Sequence, residues 1–189
     1  MKTIKAAMLG MGSVNKNLLH IISDKKDRLA KEYGIQFKII AATDSSGIAV
    51  DEAGFDMISL VGHKESGGRI SALSSFKGER VQHHLNALDV DVIFEATPVD
   101  LKTGGEALDI CRAALIRGVS VVLANKGPLV HAIGELRELS QKSGAGFAGF
   151  ASWLDLTPAH PDMFVMPDTS SLIQLPWKPE VAWVAGDPW

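Results

Sequence analysis

Three short stretches carry residue types suited to chemistry. The first is Gly10-Met11-Gly12-Ser13-Val14-Asn15, which follows the apolar residues 3–9 directly and opens a helical pattern. The first glycine permits a tight turn, and the second lets backbone N–H groups approach a pyrophosphate at the positive end of a helix. Asn15 stands where a dinucleotide fingerprint would carry its third glycine. An ordinary strand-to-helix turn is the plainer alternative for the same residues. The second stretch is a pair of strand ends, Glu95-Ala96-Thr97-Pro98 and Ala124-Asn125-Lys126-Gly127-Pro128-Leu129. In a doubly wound sheet, ligands sit beyond the carboxyl ends of the strands. A lysine there, Lys126, can hold an anionic group or donate a proton, or it is a solvated loop charge. The third is Asp44, closing a second apolar run 32 residues after Gly12. An acid there could accept a hydrogen bond from an adenosine ribose, although the usual spacing is about 20 residues. No arginine follows it, so Asp44-Ser45-Ser46 leans toward NAD over NADP. A surface aspartate at a strand end is the other reading.

The remaining reactive residues read as structural. His83-His84 lacks a third ligand at metal-binding spacing and is expected to be a hydrated helix-end pair, with no metal site. Cys111 falls between Ala107 and Ala114 on a helical face and reads as a small core residue. His131 either approaches a coenzyme or belongs to the start of a helix.

The elements that must position these residues alternate. Residues 3–9, 36–43, 90–97 and 119–125 read as strands. Residues 14–32, 50–62, 105–117 and 129–143 read as helices, and 66–80 as loop. Strands alternating with helices of this length predict βαβ units around a parallel sheet.

With 189 residues, 46% of them apolar and 22% charged, the chain has room for one domain and part of another. A net charge of −3 with no local basic cluster gives no field for nucleic acid. A single cysteine fits a reducing compartment, and no run of apolar residues is long enough to span a membrane. A soluble cytoplasmic protein is expected. Composition breaks near Gly149. All four tryptophans (Trp153, Trp177, Trp183 and Trp189) and six of the eight prolines lie after residue 150. Residues 151–189 carry one cation, Lys178, against five acids.

The combination LGMGSVNKNLL, VDVIFEATPVD and ALDICRAALIRGVSVVLANKGPLV resembles the coenzyme domain of homoserine dehydrogenase. ANKGPL is its most distinctive piece. The likeness covers residues 1 to about 146 and implies a Rossmann-type doubly wound parallel sheet that binds NAD or NADP. It implies that Gly10, Met11, Gly12, Ser13 and Val14 line the pyrophosphate site. Thr97 and Pro98 would flank the nicotinamide, Asn125 would help position the coenzyme, and Lys126 would be one of two lysines at the reacting carbonyl. The implied reaction is hydride transfer between the coenzyme and aspartate semialdehyde, giving homoserine. The family's substrate and dimerisation region, with its second lysine and substrate-binding acids, has no counterpart here, so little turnover by this chain alone is expected. A homo-oligomer stays open.

Residues 147–189 have a different likeness. DMFVMPD and LIQLPWKPEVAWVAGD resemble the N-terminal β-grasp region of glutamine synthetase, without that family's catalytic glutamates. The expected organisation is therefore a Rossmann domain over 1–146 joined to a short Pro/Trp-rich β appendage over 147–189. A hairpin near Lys178-Pro179 is expected within that appendage.

Overall fold

A computed structural model describes residues 1–149. They fall in two compact units, one spanning Met1–Val99 and the other beginning at Asp100.

The first unit is built on β1 (Lys2–Leu9), α1 (Ser13–Asp24), α2 (Lys26–Tyr33), β2 (Ile35–Asp44), β3 (Gly47–Val50), α3 (Met57–Glu65), β4 (Phe76–Gly78), α4 (Val81–Ala87) and β5 (Val92–Glu95). A 3-10 turn at Ile70–Ala72 precedes β4. The strands lie in the order β4-β3-β2-β1-β5. At the centre, β1 pairs in parallel with β2 and with β5. Strand β1 is buried on both faces, with Ala6, Ala7, Met8 and Leu9 wholly inaccessible. That is why Ala6–Leu9 reads as an unbroken apolar run rather than an alternation.

The parallel core matches expectation, but three local readings need correction. The predicted helix over 14–32 is two helices, broken at Lys25. Between Ile22 and Leu29 there is no apolar side chain to hold one continuous face. The predicted helix over 50–62 starts only at Met57, where Asp56 accepts a hydrogen bond from the Ser59 N–H at 2.8 Å. Before it, Gly47–Val50 turns back as β3, antiparallel to β2, and β4 pairs antiparallel to β3. The sheet is therefore mixed. The segment 66–80, expected to be loop, contains the 3-10 turn and β4, and 81–87 is a helix that periodicity did not reveal. His83 and His84 lie in that helix with ring centroids 5.4 Å apart.

The second unit contains α5 (Gly105–Ile116), β6 (Ser120–Leu123), α6 (Lys126–Ser143) and β7 (Phe147–Gly149). Strand β7 runs parallel to β6, with Val121 opposite Phe147 and Leu123 opposite Gly149. Helix α5 buries Ala107, Leu108, Ile110, Cys111, Ala114 and Leu115, which places Cys111 in the core as its spacing predicts. A fork of Arg112 onto Glu135, at 2.8 and 2.7 Å, ties α5 to α6 across their exposed side. Helix α6 begins three residues earlier than predicted and kinks at Ala132. Among the described residues, no helix is long and apolar enough to cross a membrane. The expected hairpin near Lys178-Pro179, with the rest of the appendage after Gly149, lies outside the described residues.

Candidate functional site

In the first unit the turn between β1 and α1 is held from below by Thr43. Its hydroxyl accepts the Gly10 N–H at 2.9 Å, and its carbonyl accepts the Met11 N–H at 2.7 Å. The Gly12 N–H closes back on the Gly10 carbonyl at 2.8 Å. Three of the predicted phosphate-site residues thus use their N–H groups to build the turn, and Met11 is buried beneath it. The positions left for an anion are Ser13 and Val14, which start α1. The first N–H groups of a helix have no intrahelical acceptor, and α1 has no side-chain cap. Gly12 is extended at φ −87°, and a Cβ added there would meet nothing within 4 Å. Beside this opening Val14 is half exposed. An exposed cradle with uncapped donors at the positive end of a helix fits a pyrophosphate.

Asn15, which displaces the third glycine, is buried on the same face of α1 as Leu19 and Ile22. Its side-chain amide donates to the carbonyls of Leu9 at 2.8 Å, Gly10 at 3.1 Å and Phe94 at 3.3 Å. It stitches the end of β1, the turn and β5 together. Helical spacing with Leu19 and Ile22 was the available sequence signal for this role; nothing in the sequence signalled Thr43. Removing the amide deletes these bonds, although the Leu9 and Gly10 carbonyls keep the Ala96 and Gly12 N–H donors, so the cost is about 1 kcal/mol. Asn15→Ala should lower unfolding free energy by that amount in urea titrations.

Asp44, the predicted ribose acceptor, closes β2 but is already engaged. Lys64 and the Ile70 N–H donate to Oδ2, the latter at 3.0 Å, while the Ser46 N–H and hydroxyl donate to Oδ1 at 2.8 and 2.5 Å. Burial pushes the Asp44 carboxyl up, but hydrogen bonds from Lys64, Ser46 and the Ile70 N–H outweigh it and hold the group well below the usual carboxylate range. A depressed folded-state value means that Asp44 contributes stability above its unfolded value of about 3.9 and loses it as the pH falls below that. Acidification from about pH 5 to about pH 3 should therefore lower the urea midpoint more in the wild type than in Asp44→Asn.

At the end of β5, buried Glu95 accepts the Thr97 N–H at 2.8 Å and the Thr97 hydroxyl, both on Oε1. This fixes the Thr97 backbone, and Pro98 follows it at the surface.

In the second unit, Asn125 is wholly buried as the cap of α6, with Oδ1 accepting the Gly127 N–H at 2.9 Å. Lys126 is the first residue of the helix rather than part of a loop, and it is half-buried. Gly127 is required here, because a Cβ would lie 2.5 Å from the Asp100 carbonyl oxygen. The loop after Asp100 is braced by its carboxylate, which accepts the Lys102 N–H at 2.8 Å and the Thr103 hydroxyl at 2.5 Å. Hydrogen bonds from Thr103 and Lys102 hold the Asp100 carboxyl below its ordinary value. His131 bonds the Leu101 carbonyl at 2.8 Å, so its ring braces the same loop.

The chain has relatives of known activity. A homoserine dehydrogenase from Methanocaldococcus jannaschii is 37% identical over 147 residues, covering 77% of this chain and 43% of that protein. Over some three quarters of its length, the chain is a homologue of the homoserine dehydrogenases. The solved structure of a hyperthermophilic archaeal homoserine dehydrogenase mutant in complex with NADPH superposes with a TM-score of 0.65 at 25% identity, over 79% of this chain and 44% of that one. The α/β fold is thus the Rossmann-like fold of homoserine dehydrogenases. The chain spans less than half the length of the homoserine dehydrogenases it matches. A separate stretch of 47 residues is 79% identical to a glutamine synthetase from Rhizobium leguminosarum bv. phaseoli, covering 25% of this chain and 11% of that protein. The chain joins sequence similar to two families, as its two likenesses imply. No protein-family model matches it.

Proposed function

We propose that residues 1–146 form a coenzyme domain that binds NAD(H) or NADP(H) for homoserine dehydrogenase-type chemistry, with residues 147–189 a separate appendage. The observation that carries this reading is the open Gly12 cradle beside the uncapped start of α1. Homology to an NADPH-bound structure supports it. Ser13 and Val14 would hold the pyrophosphate through their N–H groups, while Gly10, Met11 and Thr43 shape the turn. Thr97 and Pro98 would flank the nicotinamide, with Glu95 fixing Thr97. Asn125 caps α6 and so presents Lys126, whose ammonium would stabilise the negative charge that develops on the oxygen of a reacting carbonyl. The coenzyme, when bound, supplies the hydride. Homoserine and aspartate semialdehyde are the proposed substrate pair, in a reducing, cytoplasmic setting suggested by the lone Cys111.

These 189 residues alone are expected to bind coenzyme and turn over little. The support is coverage of only 43% of the Methanocaldococcus relative. The test is a titration of NADH and NADPH by ligand fluorescence, followed by an absorbance assay with homoserine and oxidised coenzyme. Saturable binding with little or no absorbance change is expected. Binding of neither coenzyme sinks the reading, and robust turnover sinks the part that makes the chain insufficient alone.

A further inference from the structure

The acid at the end of β2 has its acceptor capacity used inside the protein. An ionised carboxylate offers about four lone-pair sites, and Asp44 accepts from four donors: Ser46 N–H and hydroxyl, Ile70 N–H and the Lys64 ammonium. The Asp44 and Lys64 side chains are each only 13% exposed. Lys64 gives a second bond to the Gly68 carbonyl at 2.8 Å, and Ser46 accepts the Ser71 N–H at 3.0 Å. The pair thus laces the segment 66–71 to the end of β2. Thr43, the residue before Asp44, is the one that holds Gly10 and Met11 in the phosphate turn. The pair therefore stands one residue from the support of the turn, at the strand end where dinucleotide folds read the 2′ position of the adenosine ribose.

A 2′-phosphate is strongly anionic and needs a cation with charge to spare, whereas a 2′-hydroxyl does not. Lys64 is the cation placed to serve it, yet its charge is neutralised by a carboxylate that would itself repel the phosphate. From this we infer that Asp44 sets coenzyme choice by sequestering Lys64 rather than by accepting the ribose hydroxyl, so that the chain favours NAD(H) over NADP(H). The inference rests on the dinucleotide reading above. Asp44 is here a positioning residue: it acts on the ligand through the ammonium it holds.

The test compares dissociation constants for NADH and NADPH in the full chain, read from ligand fluorescence, for wild type, Asp44→Asn, Lys64→Met and the double variant. Wild type should bind NADH at least tenfold more tightly than NADPH. Asp44→Asn, which keeps the side-chain shape but removes the charge, should tighten NADPH about tenfold with a smaller change for NADH. Adding Lys64→Met should remove that gain, an outcome that a merely structural role for Asp44 does not produce. If Asp44→Asn weakens NADH and leaves NADPH unchanged, Asp44 touches the ribose itself and the inference is overturned. A gain that survives in the double variant overturns it as well. The wild-type ratio needs no variant to fold: tighter NADPH than NADH in the wild type is also fatal. Binding of neither coenzyme removes the dinucleotide reading itself, whereas NADH binding with an unmoved ratio removes only the role given to Asp44.

Discussion

Gly12→Val is expected to reduce coenzyme affinity by more than 100-fold while the protein stays folded. Gly12 is extended, a conformation that valine adopts freely, and a Cβ there meets nothing within 4 Å. The substitution forfeits only the modest preference for glycine over a β-branched residue at a helix cap, about 1 kcal/mol or less. The two methyl groups instead project into the cradle where a pyrophosphate would approach the N–H groups of Ser13 and Val14. Displacing a charged group from such donors removes several charge-assisted hydrogen bonds at once. Paired measurements of melting temperature and NADH titration check both halves. Unchanged affinity would remove the phosphate turn from the site.

Gly10→Ala should fail in the opposite way, by unfolding. Gly10 has φ +77°, a left-handed conformation that costs a side-chain-bearing residue about 1–2 kcal/mol. A Cβ would also sit 2.6 Å from the Ala96 carbonyl oxygen and 2.8 Å from the Thr97 nitrogen. Those are main-chain atoms, and Ala96 is held by its N–H on the Leu9 carbonyl at 2.9 Å. Relief requires opening the β1–β5 pairing at the end that carries the turn. A loss of about 4 kcal/mol or more, at the upper end of single substitutions, is expected in urea denaturation. A Gly10→Ala protein of wild-type stability would contradict the close approach of the turn to Ala96.

Much of this was legible in the sequence because burial on both faces leaves a plain mark. Ala6–Leu9 of β1, Ile39–Ala42 of β2 and Val92–Phe94 of β5 read as short apolar runs, and Cys111 and its helix fell on the expected face. The glycine turn was legible because strand, Gly10, Gly12 and helix follow one another without a gap. Strand β3 was missed because Ile48-Ala49-Val50 is a short apolar stretch that fits either period, and its assignment depends on pairing with β2. The engagement of Asp44 by Lys64, 20 residues away, was illegible for the same reason: contacts between distant segments leave no local pattern. Thr43 and Asn15 serve main-chain groups of the turn, a task that their residue types permit but do not announce.

Strand β7 has a consequence for how such a chain could arise. Its three residues join β6 through a parallel ladder, and a ladder is made by peptide groups that every amino acid except proline supplies in full. The one steric demand visible at its end is at Gly149, where a Cβ would press to 2.9 Å from Leu129. The homoserine dehydrogenase match covers 77% of the chain and the glutamine synthetase match 25%, and the proposed boundary near residue 146 lies beside this strand. A splice here asks little of the incoming sequence: a few residues able to extend, and a small one at the close. A seam at the proposed boundary would fall at a permissive place, downstream of every residue proposed to serve the coenzyme, where foreign sequence can be appended without rewriting what precedes it.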